Sequence, residues 1–347
     1  WLSGRTDRRV NTPTYSSPIR LIHLNCRQVS PATLYTNADR SRQQSVGIAD
    51  FTSWSNLAAM TIRTILVCLT NSANAERLSK AADLLARKYQ ARIIGLHTIQ
   101  SIEVYPSIAV DLPSIATDAF VAEQNRVAKE IRETFEKVTA GQEYASEWRQ
   151  VQANSTFAAD RMIEHSHSAD LVIIGQEDHD NDRPDQRSAQ EMLIKQSGRP
   201  VLIIPSVGTF NTIGDHALMG WSATRESSRA IHDAIPILSS GNGNGNAIRA
   251  NATILWVSHS NSDADYLENT AHAMAATLDR HGIDTTVAHW QNTKISIADA
   301  LLNEATDRGA DMIVTGAFGH SKFYDFVIGA TTTGLLDHMT VPVLFSN

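Results

Sequence analysis

Cysteine is almost missing from this chain: Cys26 and Cys68 are its only two in 347 residues. They form no Cys-x-x-Cys pair, and no His/Cys spacing suits zinc, which excludes a disulfide-stapled scaffold and points to a reducing compartment. Long apolar runs are missing as well; none approaches the roughly 20 residues a membrane helix needs. No apolar stretch follows the first basic residues, so nothing reads as a secretory signal. An excess of positive charge is also lacking. The formal net charge of −7 argues against general affinity for nucleic acid or anionic membranes, because both require clustered Lys and Arg. The motifs GxxxxGK(S/T), GxSxG, HExxH, HxGH and SGGxDS do not occur. Kinase-like, hydrolase, metalloprotease, nucleotidyl-transferase and ATP-pyrophosphatase activities thereby lose their usual signatures.

What is present is a hydrophobic share of 42% and a charged share of 19%, typical of globular domains, in a length that admits two ordinary ones. Residues 1–59 mix Arg, Ser, Thr and Asn without sustained period 2 or 3.6. Such a segment buries no face and reads as a disordered or non-native extension. The competing reading is an accessory segment with residues 19–24 as an added strand. At Met60 the character changes: Ile65-Leu66-Val67-Cys68-Leu69 is an apolar opening strand, and Met60 is the expected start of the folded protein.

The remainder repeats itself. Ser168-Ala-Asp-Leu-Val-Ile-Ile-Gly175 pairs with Gly309-Ala-Asp-Met-Ile-Val-Thr-Gly316, and Arg199-Pro-Val-Leu-Ile-Ile204 pairs with Val341-Pro-Val-Leu-Phe345. The offset, about 140 residues, is a domain length, so the pattern is a duplicated domain with copies at 60–207 and 208–347. Copy one predicts strands at 65–69, 92–98, 147–151, 171–174 and 201–204; copy two predicts them at 217–221, 253–257, 285–289, 312–315 and 341–345. Helices fall between them. In residues 75–89, for example, Leu78, Ala81, Ala82, Leu85 and Ala86 recur at helical spacing. Alternating β and α with nearly all-apolar strands implies the α/β class: two tandem five-stranded parallel sheets, each covered on both faces.

In open parallel sheets, ligands sit beyond the carboxyl ends of the strands, where helix N-termini present N–H groups. There copy two carries Gly316, Gly319 and Gly329, with Ala330, Thr331 and Thr332 after the third glycine. Gly316 and Gly319 let main chain approach a ribose or phosphate, and Gly329 opens the last helix, whose dipole favours an anion. Of His320 and Lys322, the lysine is the better phosphate donor, being cationic at neutral pH; both read equally well as solvated side chains. The spacing resembles the G-x2-G-x9-G-(S/T) nucleotide motif of the universal stress protein family, and the resemblance runs over about residues 60–347 as two copies.

That resemblance implies nucleotide-binding domains of the adenine nucleotide alpha hydrolase-like type, with ATP, or AMP or ADP, held by this loop. Gly316 would lie at the ribose, Gly319 and Gly329 at the phosphates, and Val257 at the adenine. Two residues depart from the pattern. Ala330 stands where the family has Ser or Thr, and Ser222 stands where it has an Asp near the base. Each lost charge-assisted hydrogen bond costs on the order of 1.5–3 kcal/mol.

Copy one keeps only Gly175. Asp178 replaces the second glycine, Ser188 or Arg187 the third, and Thr70 the family's Asp. Glu177, Asp178, Asp180, Asp182 and Asp185 would repel a triphosphate unless a metal intervened, so this half reads as a structural partner. A divalent-metal site from Asp178, His179 and Asp180 is the sharper alternative, solvated acids the commoner outcome. The expectation is a cytoplasmic stress-response regulatory protein whose ligand is an adenine nucleotide, with Mg²⁺ as an optional companion. No catalytic residue and no protein-held metal are assigned, and hydrolysis is at most slow. Family resemblance further implies that the last strands of the copies pair across a pseudo-twofold, giving an intrachain dimer, with further self-association open. The rivals are a scaffold that binds no nucleotide and a nucleotide-using enzyme of related fold.

Overall fold

Short aliphatic runs become strands here because helices cover them on both sides. The computed structural model describes residues 62–99, 114–153, 157–178, 185–238, 250–258, 264–291, 294–317 and 329–347. The expected extension at 1–59 lies outside them. In the first half β1 (Thr64–Cys68), β2 (Arg92–Ile99), β3 (Ser146–Gln152), β4 (Leu171–Gly175) and β5 (Val201–Ile204) alternate with α1 (Ser72–Tyr89), α2 (Ser114–Thr139), α3 (Ala158–Ser166) and α4 (Gln186–Gln196). The second half repeats the pattern. Its strands are β6 (His216–Trp221), β7 (Asn251–Ser258), β8 (Asp284–Gln291), β9 (Met312–Gly316) and β10 (Val343–Ser346). Its helices are α5 (Arg225–Leu238), α6 (Ala264–Arg280), α7 (Ile297–Arg308) and α8 (Ala330–His338). Every expected strand is found; the last begins at Val343, past Pro342, which has no N–H to give a ladder.

The strand order is β3-β2-β1-β4-β5-β10-β9-β6-β7-β8, so each half has the same order and the second runs as the mirror of the first. Pairing within each half is parallel. At the centre β5 and β10 pair antiparallel, Leu202 opposite Leu344, which closes both edges that the halves would otherwise leave open. Strand alternation divides the core. Ile65, Val67 and Leu69 face a cluster built with α1, α2, α5 and α6, whereas Leu66 and Cys68 face one built with α3, α4, α7 and α8.

The repeated Ala-Asp pair has a structural reason. Asp170 accepts hydrogen bonds from Arg63 N and Thr64 N, both at 2.9 Å, at the start of β1. Asp311 does the same for β6, accepting from Gly214, Asp215 and His216 N at 3.0, 3.0 and 3.1 Å. Each carboxylate pins the first strand of its half beside the fourth. Side chains also tie the halves together. Tyr89 donates to Ile237 O at 2.6 Å. Buried Gln176 donates to Leu336 O at 2.8 Å and accepts from Ser206 N at 2.9 Å, and Arg187 pairs with Asp337 at 2.9 Å.

Candidate functional site

Sheet topology fixes where a ligand can meet the second half. From β6 the chain passes through α5 to β7 on one side, while β9 and β10 lie on the other. Such a divergence leaves a crevice beyond the strand ends. Ser222 follows β6 directly, Gly316 ends β9, and Val257 lies one step past the Trp221–Trp256 pair on β7. Three of the expected residues therefore share one edge.

Gly316 has a packing duty. A Cβ there would stand 2.5 Å from the carbonyl carbon of Glu226 and 2.7 Å from Ser227 N, in the first turn of α5. Its missing side chain lets that turn close over the strand end. Gly329 differs. It caps α8 with φ −66° and ψ 144°, and a Cβ there would meet nothing within 4 Å among the described residues. Helix geometry leaves the first N–H groups of α8 without intrahelical acceptors, and the glycine cap supplies no side chain to satisfy them. Ala330 is exposed and Thr331 half-buried, so this turn opens outward, whereas Thr332 is buried. Ala330 has no hydroxyl, but its N–H remains. Half-buried Val257 packs against the core under α7 and α8 and offers an apolar wall. Ser222 is exposed, its hydroxyl 3.1 Å from that of Thr224. Gly319, His320 and Lys322 lie outside the described residues.

Two features escaped the sequence reading. Thr224 and Ser227 form a reciprocal cap on α5, Thr224 N to Ser227 Oγ at 3.2 Å and Ser227 N to Thr224 Oγ1 at 3.3 Å. The signal was present as Thr224-Arg-Glu-Ser227, a capping box with serine in place of the usual Glu. Gln176 and Arg187 hold the far end of α8 from the other half, a contact across more than a hundred residues that no local pattern announces.

The universal stress protein family matches residues 61–205 and 251–346 of this chain. The chain belongs to that family. A universal stress protein from Archaeoglobus fulgidus DSM 4304 superposes with a TM-score of 0.58 at 16% identity, covering 83% of this chain and 97% of its own. A protein of unknown function from Pseudomonas aeruginosa PAO1 gives 0.50 at 17% identity, covering 82% and 92%. At these identities the likeness is one of fold. No curated protein sequence matches.

Within this doubled universal-stress-protein fold the first half presents a different edge. Its divergence lies between β1 and β4, where Gly175 ends β4. A Cβ on Gly175 would stand 3.0 Å from Asn74 Nδ2, a side chain of α1. The Gly175 carbonyl accepts from Gln190 Nε2 at 2.5 Å and from Gln186 Nε2 at 3.4 Å. Thr70 is buried. Arg187 and Ser188 both sit inside the first turn of α4, and Arg187 is turned toward Glu191 and Asp337. Glu177 and Asp178 are half-buried. Among the described residues no group of three His, Cys, Asp or Glu side chains could hold a metal; His179 and Asp180 lie outside them. Among the described residues, too, no helix is long and apolar enough to cross a membrane.

Proposed function

We propose that the C-terminal half binds an adenine nucleotide, ATP or its di- or monophosphate, and that the protein is a cytoplasmic stress-response regulator whose state follows that occupancy. The opening turn of α8 carries this reading: a glycine cap with open space beside it among the described residues, and first-turn N–H groups that have neither an intrahelical acceptor nor a side chain of the cap to bond. A helix dipole favours an anion there by about 0.3–1 kcal/mol, and direct N–H contacts add to it. Val257 would serve as the wall for the base, Ser222 as a hydroxyl near it, and Gly316 as the turn beside the ribose. Gly319, Ala330, Thr331 and Lys322 complete the phosphate end in the same reading. Mg²⁺, where it accompanies ATP, would be held by the phosphates. Binding is the role; with no residue assigned to orient an attacking water, hydrolysis would be slow.

One observation favours the rival scaffold reading: the side-chain space of Gly316 is taken by α5 main chain, so that glycine has a use without a ligand. Mass spectrometry of small molecules released from freshly purified, denatured protein separates the two. The proposal expects a retained adenine nucleotide in the wild type and its loss in Gly329→Asp. That variant stays folded, because the position has room and Asp is a good helix cap. A folded wild type that neither retains nor takes up nucleotide leaves the scaffold.

A further inference from the structure

The half without the phosphate glycines carries buried polar atoms without a hydrogen-bond partner, and five of them lie on residues around the C-terminal ends of β1 and β4. Thr70 Oγ1, both carboxamide atoms of Asn74, and Oε1 of Gln186 and of Gln190 have no hydrogen-bond partner. These four residues are 3%, 1%, 0% and 0% exposed. Three segments deliver them: the chain just past β1, the first turn of α1, and the first two turns of α4. Gly175 joins the set, because its side-chain space abuts Asn74 Nδ2 and its carbonyl takes the N–H groups of both glutamines. Asn74, Gln186 and Gln190 thus border Gly175 at the end of β4, and Thr70 follows the neighbouring strand β1, at the divergence of the sheet.

Burying a polar atom without a partner carries its full desolvation cost, and native proteins leave few such atoms. Five around two neighbouring strand ends mark a place shaped for hydrogen bonds from outside the chain. The second half shows the contrast. At the corresponding place in the second half Ser222, Thr224 and Ser227 bond to one another, and among the described residues from 208 onward no buried side-chain polar atom lacks a partner.

The chemistry of the set selects its ligand. Both glutamine nitrogens are committed to Gly175 O, which fixes each Oε1 as the atom left over. Three of the five atoms are therefore carboxamide oxygens, acceptors only, beside one amide N–H₂ and one hydroxyl that works either way. The complement is a group rich in N–H donors. Glu177 and Asp178 come next along the chain after Gln176 and are half-buried. We propose that this crevice binds a small amine- or guanidine-bearing molecule through its N–H donors. The site is independent of nucleotide binding in the C-terminal half and does not rest on it.

Calorimetric titration of the full chain with methylguanidine and with ethylamine, with adenosine and ATP as controls, tests the site. Saturable binding of a donor-rich probe to the wild type is expected, weakened at least tenfold in Gln190→Leu and in Asn74→Leu. Asn74→Leu should melt at or above the wild-type temperature, since it replaces an amide with both polar atoms unsatisfied by an apolar group of similar size, whereas Gln190→Leu gives up its bond to Gly175 O and should melt at or slightly below it. Their ATP titration should be unchanged. Should a variant fail to fold, hydrogen exchange of α4 in the wild type still decides: the probe protects it if the site is real. Absence of saturable probe binding, adenosine binding that the same substitutions abolish, or a crystal structure grown with probe in which only ordered water meets these atoms would each overturn the proposal.

Discussion

Gly175 and Gly316 end equivalent strands, yet the space beside them is filled by different things: in the first half by the side chain of Asn74, in the second by the main chain of α5. A side chain can swing away; a helix backbone cannot. The same glycine in a duplicated fold therefore constrains the two halves unequally, and the loops above the strands are free to diverge in ligand chemistry while the sheet below stays fixed.

Substitution at these two positions should break the symmetry most sharply. Gly316→Ala places its Cβ against Glu226 carbonyl atoms and is expected to cost about 3 kcal/mol in denaturant unfolding, with Gly175→Ala nearer 1 kcal/mol. Equal losses would contradict the packing account. The paired aspartates come next. Asp311→Ala strands three main-chain donors and Asp170→Ala two, so losses of about 2–3 and about 1–2 kcal/mol are expected in the same measurement. The seam between the halves is a smaller effect: Gln176→Leu uncaps Leu336 O and Ser206 N and should cost about 1–2 kcal/mol. It should also raise hydrogen exchange at the end of α8 more than in α4; uniform exchange would show that Gln176 does not hold α8.

Smallest is a pH effect confined to the first half. Burial, and after it the nearby Arg149 guanidinium, holds His165 below its ordinary range, and Arg149 Nη1 lies 3.1 Å from its Nδ1. The unfolded chain therefore takes up this proton first on acidification. Stability is unaffected above the unfolded value near 6.5 and declines as pH falls below it toward the lowered folded value. Thermal melts across that window should show a shallower decline in His165→Gln, and an unchanged slope would remove His165 from the account.

The fold was readable because its signals are local. Apolar runs such as 171–175 and 201–204, the helical stripe of 75–89 and the duplicated Ala-Asp-apolar-Gly stretch need no knowledge of neighbours. Pairing of β5 with β10 followed from the family resemblance and is present. The site was legible only as positions along an edge. Whether Gly316 faces a ligand or a helix depends on where α5 lands, and Asp170 and Asp311 look like ordinary solvated acids until the starts of β1 and β6 fold beside them. Gln186 and Gln190 likewise read as the polar face of a helix. Their inward turn follows from the carbonyl of Gly175, which nothing in their own sequence window reveals.

The asymmetry between the halves is tested most directly by the stoichiometry of ATP binding to the full chain, measured by isothermal titration. One ATP per chain, abolished by Gly329→Asp and retained in Gln190→Leu, is the result expected. Two equivalent sites, or a single site that survives Gly329→Asp, would place the nucleotide elsewhere and contradict the account.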